Sequence, residues 1–289
     1  MKKLLITALL LSTQAHASIT VRDDDGNAVT LPRPAQRVIA MAPHVTELIF
    51  AAGGGGKIVG TVDYADYPEA AKKIPRLGSN REVDMERVLA LKPDLIVVWR
   101  HGSSERQIEQ LRKLGFPLFH SEPKKLDQIA DNIINMGKLM GTEAVAEAAA
   151  KEMRQKLAAL RTQYASRPPV RTFYQVWDKP LYTLNGGHIV SDALRACGGE
   201  NIFASLKVTA PVVGIEGVLQ EDPEAIFGTA EKDYGGVALW RPYTQLQAVR
   251  QGNLFTLNGD LLNRAGPRMI EGTAVLCEKL EEARQRRKK

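Results

Sequence analysis

Short, mainly apolar runs alternate along this chain with longer stretches whose apolar residues fall three and four apart. Leu95–Val98 is apolar on both faces, and Arg37–Met41, Ile58–Val62 and Leu118–Phe119 are further, mainly apolar runs. That pattern predicts strands covered on both sides, as in a parallel sheet between helices. The intervening stretches predict helices near Thr46–Ala52, over Ser104–Leu114 with Ile108, Leu111 and Leu114 on one face, and over Leu126–Met140, stopped by Gly141. Thr142 is placed to cap a long Ala-, Glu- and Lys-rich helix reaching about Ala165, with Val145, Met153, Leu157 and Leu160 as its buried stripe. Its length would be about 36 Å, enough to brace one lobe against another.

The alternation then resumes. Strands are predicted at Arg171–Val176, around Ile226, at Val237–Trp240 and at Leu254–Thr256. Helices are predicted at Ile189–Cys197, beside Glu216, and at Pro267–Ala283. A hairpin precedes everything, with Ile19–Arg22 and Ala28–Leu31 joined through Asp23-Asp24-Asp25-Gly26, since Asp-Gly is a favoured turn pair.

One stretch occurs twice. In MERVLALKPDLIVVWRH, from Met85 to His101, a helical turn bearing Glu86 is stopped at Pro93 and followed by a buried strand and Trp99. The pattern E-x-V-L-x-x-x-P-acid-x-I returns 130 positions later, at Glu216 to Ile226. Two copies of a helix–strand unit predict two similar α/β lobes with parallel sheets, joined by the long helix and each presenting a glutamate at the same place. The second copy ends at Thr229, without the aromatic residue. The expected division is 1–17, 18–141 for the first lobe, 142–166 for the linking helix and 167–289 for the second lobe.

The first seventeen residues have the three parts of a cleaved secretory leader: Lys2 and Lys3, an apolar core from Leu4 to Leu11, and Ala15-His16-Ala17. No cysteine near the cleavage point suggests a lipid anchor. Loss of the two leader lysines takes the net charge from +6 to +4, too mild a balance to imply a nucleic-acid partner, and the basic residues from Arg284 to Lys289 read as a solvated tail. Cys197 and Cys277 are an even count in an exported chain, which favours one disulfide over two separate buried thiols.

Several chemistries are not supported. Gly53–Gly56 and Lys57 lack the Ser/Thr of a phosphate loop and follow a helix rather than a strand. The acid run in the hairpin lacks EF-hand spacing. His44, His101, His120 and His188 have no metal-ligand spacing. There is no G-x-S-x-G, no H-E-x-x-H and no dinucleotide fingerprint, so an enzyme on a Rossmann-like scaffold is a remote alternative and no catalytic residue is assigned.

The residues I-T-V-R-D-D-D-G-N-A-V-T-L-P, then R-V-I-A-M-A-P-H-V-T-E, together with Tyr64-Ala65-Asp66-Tyr67-Pro68, Trp99-Arg100 and Cys197-Gly198-Gly199-Glu200-Asn201, resemble the class III periplasmic binding proteins of ABC importers. Among these the chain is most similar to members that carry cobalamin. The resemblance implies two Rossmann-like lobes on one long helix, little closure on binding, a monomer in the periplasm, and delivery of ligand to a permease dimer. It implies that Tyr64, Trp99 and Tyr182 line a corrinoid pocket, that Asp260 and Arg264 meet the ligand from a polar loop, that Glu86 and Glu216 dock into the permease, and that Cys197 and Cys277 pair. Three positions depart from the pattern: Asn80, Ala210 and Leu261 stand where close members carry tryptophan. A wider cleft suits a corrinoid such as cobinamide as well as cobalamin. Haem and ferric siderophores are the alternatives within the class. Haem lacks a tyrosine ligand in the Gly78-Ser79-Asn80-Arg81 loop, and siderophores would call on Arg81, Arg100, Arg241, Arg264 and Arg268. His44 precedes the first helix, where it faces the cleft or is held by the loop.

Overall fold

The computed structural model describes residues 18–229 and 236–287, so the expected leader and the last two lysines lie outside the described residues. The hairpin forms as expected from β1 (Ile19–Arg22) and β2 (Ala28–Leu31), paired antiparallel. The first lobe continues through β3 (Val38–Ala40), α1 (Pro43–Ala51), β4 (Ile58–Thr61), α2 (Met85–Ala90), β5 (Leu95–Val98), α3 (Glu105–Lys113), β6 (Leu118–His120) and α4 (Leu126–Met140). Its sheet runs β4-β3-β5-β6 with every pair parallel. All of β3 and β5 is buried, which is why these strands read as unbroken apolar runs.

The linking helix α5 (Glu143–Tyr164) leads into the second lobe. There follow β7 (Val170–Gln175), the short pair β8 (Trp177–Asp178) and β9 (Leu181–Tyr182), α6 (Ile189–Ala196), β10 (Gly199–Asn201), α7 (Ile215–Glu221), β11 (Ala225–Thr229), α8 (Gln247–Arg250), β12 (Leu254–Leu257), α9 (Gly259–Leu262) and α10 (Met269–Arg286). The second sheet, β10-β7-β11-β12, is also parallel. The chain is thus a two-lobe α/β protein.

The repeated stretch does the same work in both lobes. α2 and α7 each end on a non-glycine residue in the left-handed region, Lys92 (φ 45°) and Asp222 (φ 40°), directly before Pro93 and Pro223. A proline disfavours right-handed helix in the residue before it, so the helix has to stop there. The acid that follows ties its strand to the first strand of the lobe. Asp94 accepts the backbone N–H groups of Gln36 and Arg37 at 2.9 and 2.8 Å, and Glu224 accepts that of Arg171 at 3.3 Å.

Five expectations need correction. Val237–Trp240 lies in a 3-10 turn over Gly236–Trp240, not in a strand; Trp240 is buried by packing edge-on against Phe173 and by donating its indole N–H to Gln175 at 2.6 Å. A short apolar run cannot distinguish these outcomes by periodicity. The stripe of α5 is Ala146, Ala150, Met153 and Leu157, while Val145 is 52 % exposed. The reason is close approach: a Cβ on Gly137 of α4 would lie 2.3 Å from that of Ala146, so small residues form the seam. Thr142 makes no side-chain cap bond, and Leu114 sits exposed at the end of α3. His44 is the second residue of α1 rather than part of the loop before it.

The lobes are joined by more than one helix. α5 packs along α4 and also meets α1, α6 and α10. Arg161 on α5 grips Asp127 of the first lobe at 2.7 and 3.2 Å and lies 3.8 Å from Asp192 of the second. One buried apolar cluster runs from β3 through α4 and α5 to Leu280. Cys197, at the end of α6, is bonded to Cys277 in α10, with Cα atoms 4.7 Å apart.

Candidate functional site: the cleft between the lobes

All strands of a parallel sheet end on one edge, and ligands of open α/β sheets bind beyond that edge. Here both lobes turn their strand ends toward one another. Trp99 follows β5, His44 begins α1 after β3, and Glu122 and Pro123 follow β6. Across from them stand His188 and Ile189 at the start of α6, and Leu262, Asn263 and Ala265 after β12. Together these residues enclose a cavity of about 30 Å³ at the floor of the cleft.

Among the described residues, the floor is mostly aromatic and apolar, with Glu122 its one carboxylate. The Trp99 ring lies on the backbone of Gly102, where a Cβ would come within 1.8 Å of an indole carbon. Glycine is therefore required for this loop to fold over the ring. Asn80 holds the same loop, donating to the Gly102 carbonyl at 2.6 Å. The His44 ring meets Trp99 edge to face, with centroids 5.4 Å apart, and its Nε2 is 3.5 Å from Ser121 Oγ. Burial pushes the His44 pKa down to about 4 and does the same to His188, so both imidazoles are neutral near pH 7. Asn263 accepts the Tyr174 hydroxyl at 3.1 Å.

One side of the cleft is charged, but its charges are paired. Glu47 on α1 is only 2 % exposed and takes both guanidinium nitrogens of Arg268, at 2.6 and 3.0 Å. Arg264 reaches Asp260 at 2.8 Å, Asp66 at 3.0 Å and Glu47 at 3.7 Å. Arg268 also lies over the Tyr67 ring, 4.1 Å from its centroid. Burial by itself would raise the Asp66 pKa, but the hydrogen bond and charge of Arg264 outweigh it and hold the carboxyl below its usual range. The bond to Glu47 raises the pKa of Arg268. Glu47 and Asp66 belong to the first lobe, Asp260, Arg264 and Arg268 to the second, so the network crosses the cleft.

Comparison with known proteins gives this architecture a family. Residues 38–261 match the family model described as periplasmic binding protein. The chain belongs to that family. It is 42 % identical over 255 residues to a vitamin B12-binding protein of Vibrio cholerae, covering 88 % of this chain and 92 % of that one. It is similar to the crystal structure of the periplasmic vitamin B12-binding protein of Vibrio cholerae, with a TM-score of 0.81 and 42 % identity over 87 % of this chain and 98 % of the other. A periplasmic heme-binding protein of Roseiflexus, 24 % identical, shares the fold with a TM-score of 0.74 over 86 % of this chain and 99 % of its own.

In this binding protein the residues singled out from sequence are distributed unevenly. Trp99 is on the cleft floor. Asp260 and Arg264 are brought together and linked to the opposite lobe. Tyr64 stands 79 % exposed with φ 62°, two residues from Asp66. Tyr182 is half-buried in β9, opposite Trp177, and does not line the floor cavity. Glu86 and Glu216 are each exposed at the second position of their helices, α2 and α7. Of the three positions lacking an expected tryptophan, Asn80 braces the Trp99 loop, Ala210 is exposed, and Leu261 packs near Gly272 of α10. Among the described residues, no three His, Cys, Asp or Glu side chains are grouped to hold a metal ion.

Sequence reasoning missed Glu47 and Asn263, named Arg268 only as an arginine for a siderophore, and gave His188 no role in the cleft. They come from separate segments and form no motif. One signal was present: Glu47 sits within the apolar stretch Pro43–Ala51, where an unpaired carboxylate would be costly to bury.

Proposed function

We propose that this chain is a periplasmic carrier that captures cobalamin, or a close corrinoid such as cobinamide, and delivers it to the permease dimer of an ABC importer. The observation that carries the reading is the cleft floor: an indole, two neutral imidazoles, an amide and one carboxylate, Glu122, with the neighbouring arginines already paired. A corrinoid is a broad, mostly apolar disc edged with amides. Aromatic walls and neutral polar groups complement it at low entropic cost. The vitamin B12-binding relatives support the same assignment. Anionic siderophores would have to displace Asp66, Asp260 and Glu47 from Arg264 and Arg268, which argues against them. Binding without chemical conversion fits a cleft to which no catalytic group is assigned.

In this reading residues 1–17 are a cleaved leader, 18–141 and 167–289 the two lobes, 142–166 the link, and the carrier works as a monomer. Tyr64, Trp99, Tyr182, Asp260 and Arg264 contact ligand, while Glu86 and Glu216 face the permease. Calorimetric titration of the purified protein with cyanocobalamin, dicyanocobinamide, haemin and a ferric siderophore tests it. The expected result is micromolar or tighter binding of a corrinoid and weaker binding of the rest. No heat with either corrinoid rejects the reading.

A further inference from the structure

His188 has a role in α6 that leaves half of its chemistry unused. It stands just before the helix, and its Nδ1 accepts the backbone N–H of Val190 at 3.2 Å, capping the first turn. A neutral imidazole carries one proton. With Nδ1 accepting, that proton must sit on Nε2, and burial keeps the ring neutral. Nε2 has no hydrogen-bond partner among the described residues, while the ring lines the floor cavity opposite His44, Trp99 and Glu122. Glu122 lines the same cavity, but its contacts with His101 run through Oε2, to Nδ1 at 3.2 Å and to the backbone N–H at 3.3 Å, and no hydrogen bond joins it to His188. The result is a single donor whose tautomer is set by a helix cap, held in a cavity between the lobes. His188 is half-buried, so this donor is open from the cleft and can meet an acceptor that arrives there.

We propose that His188 contacts the ligand, donating one hydrogen bond from Nε2 to an oxygen on its rim; in a corrinoid this is the carbonyl of a peripheral amide. The inference rests on the corrinoid reading and adds to it a specificity residue on the second lobe. The same geometry argues against His188 as a cobalt ligand. Coordination through Nε2 needs a lone pair there, which moves the proton to Nδ1, against the Val190 N–H. The cap would then be lost.

His188→Asn separates the two roles. Asparagine also caps helices through its side-chain oxygen, but it is too short to carry a donor to the position of Nε2. His188→Ala removes both cap and donor. The variant is expected to melt near the wild type and to bind cyanocobalamin about tenfold more weakly, the loss of one buried hydrogen bond. His188→Ala is expected to bind equally weakly but melt lower. Nitrogen-15 NMR of the wild-type imidazole should show the proton on Nε2, with that resonance shifting when cyanocobalamin is added. Wild-type affinity in His188→Asn overturns the proposal. So does a proton on Nδ1, or a cobinamide spectrum with imidazole ligation that disappears in the variant. Failure of the wild type to bind any corrinoid is a different result: it removes the carrier reading and the amide acceptor together.

Discussion

Glu47 shows how one carboxylate can hold two lobes in register. It is buried, and among the described residues it is compensated by a pair of guanidinium groups from the opposite lobe. Removing one partner of a buried ion pair strands the other charge, which typically costs 3–5 kcal/mol, whereas replacing both by apolar groups of similar volume is close to neutral. Glu47→Ala is therefore expected to lower unfolding stability by about 3 kcal/mol in urea titration. Glu47→Leu combined with Arg268→Met should recover most of that loss. Additive losses in the double variant would show that the pair is not the cause. Asp24 tests burial in another way. Desolvation pushes its carboxyl up to about 6, against the bonds from Glu122 N–H and Asn132 and with Asp23 and Glu122 adding repulsion. The folded state thus holds a proton that the unfolded chain has released. This group favours folding below about pH 4, its usual value, and the advantage is lost as pH rises through about 6. The Tm difference between wild type and Asp24→Asn should change across pH 4–6 and be constant above it. A flat difference throughout that window would mean that Asp24 has an ordinary pKa.

At the scale of elements, the seam between α4 and α5 is set by Gly137 and Ala146. A methyl group at 137 meets Ala146 at 2.3 Å and no flexible side chain can yield to it. Gly137→Ala should cost about 1–3 kcal/mol despite the better helix propensity of alanine, measured by denaturant unfolding. If the variant were stabilised, helix propensity would outweigh the seam. The same seam explains why the buried face of α5 was misjudged from sequence. Large apolar residues attract the eye, yet α4 leaves room only for Ala146 and Ala150, and Val145 is left outside. The strands β3 and β5 were legible because burial on both faces removes polar residues from them. The helix α4 was legible to the residue, since its apolar spacing ends at a left-handed glycine, Gly141. The pair β8 and β9 and the helices α8 and α9 were not, because two to four residues are too few to establish a period. In the cleft, Trp99 was singled out by the family resemblance. Glu47, its pairing with Arg268 and the donor on His188 were not legible, because Glu47 and Arg268 are 221 residues apart and the His188 ring meets groups of the other lobe.

At the scale of the molecule, a continuous core, the Arg161 bridge and the Glu47–Arg268 pair all tie one lobe to the other. Such a body is expected to close little on its ligand, leaving the spacing of Glu86 and Glu216 much the same with and without cargo. Both acids are solvent-exposed at equivalent helix positions and take no part in the cleft. Glu86→Ala with Glu216→Ala should leave corrinoid affinity within about twofold of wild type, since exposed substitutions typically change free energies by less than 0.5 kcal/mol. Corrinoid uptake by cells should fail. A parallel loss of affinity in solution would sink the docking role.

The disulfide belongs wholly to the second lobe. Its ends are 80 residues apart and enclose β10, α7, β11, α8, β12 and α9. In the chain-entropy view a loop of that size restrains the unfolded chain by about 4 kcal/mol. A newly made chain with reduced thiols is therefore expected to hold its second lobe less firmly than its first. The half containing the His188 donor, Arg264 and one of the two exposed glutamates gains its full stability where thiols can be oxidised. The bond thus links the firmness of the cleft to the surroundings in which it forms.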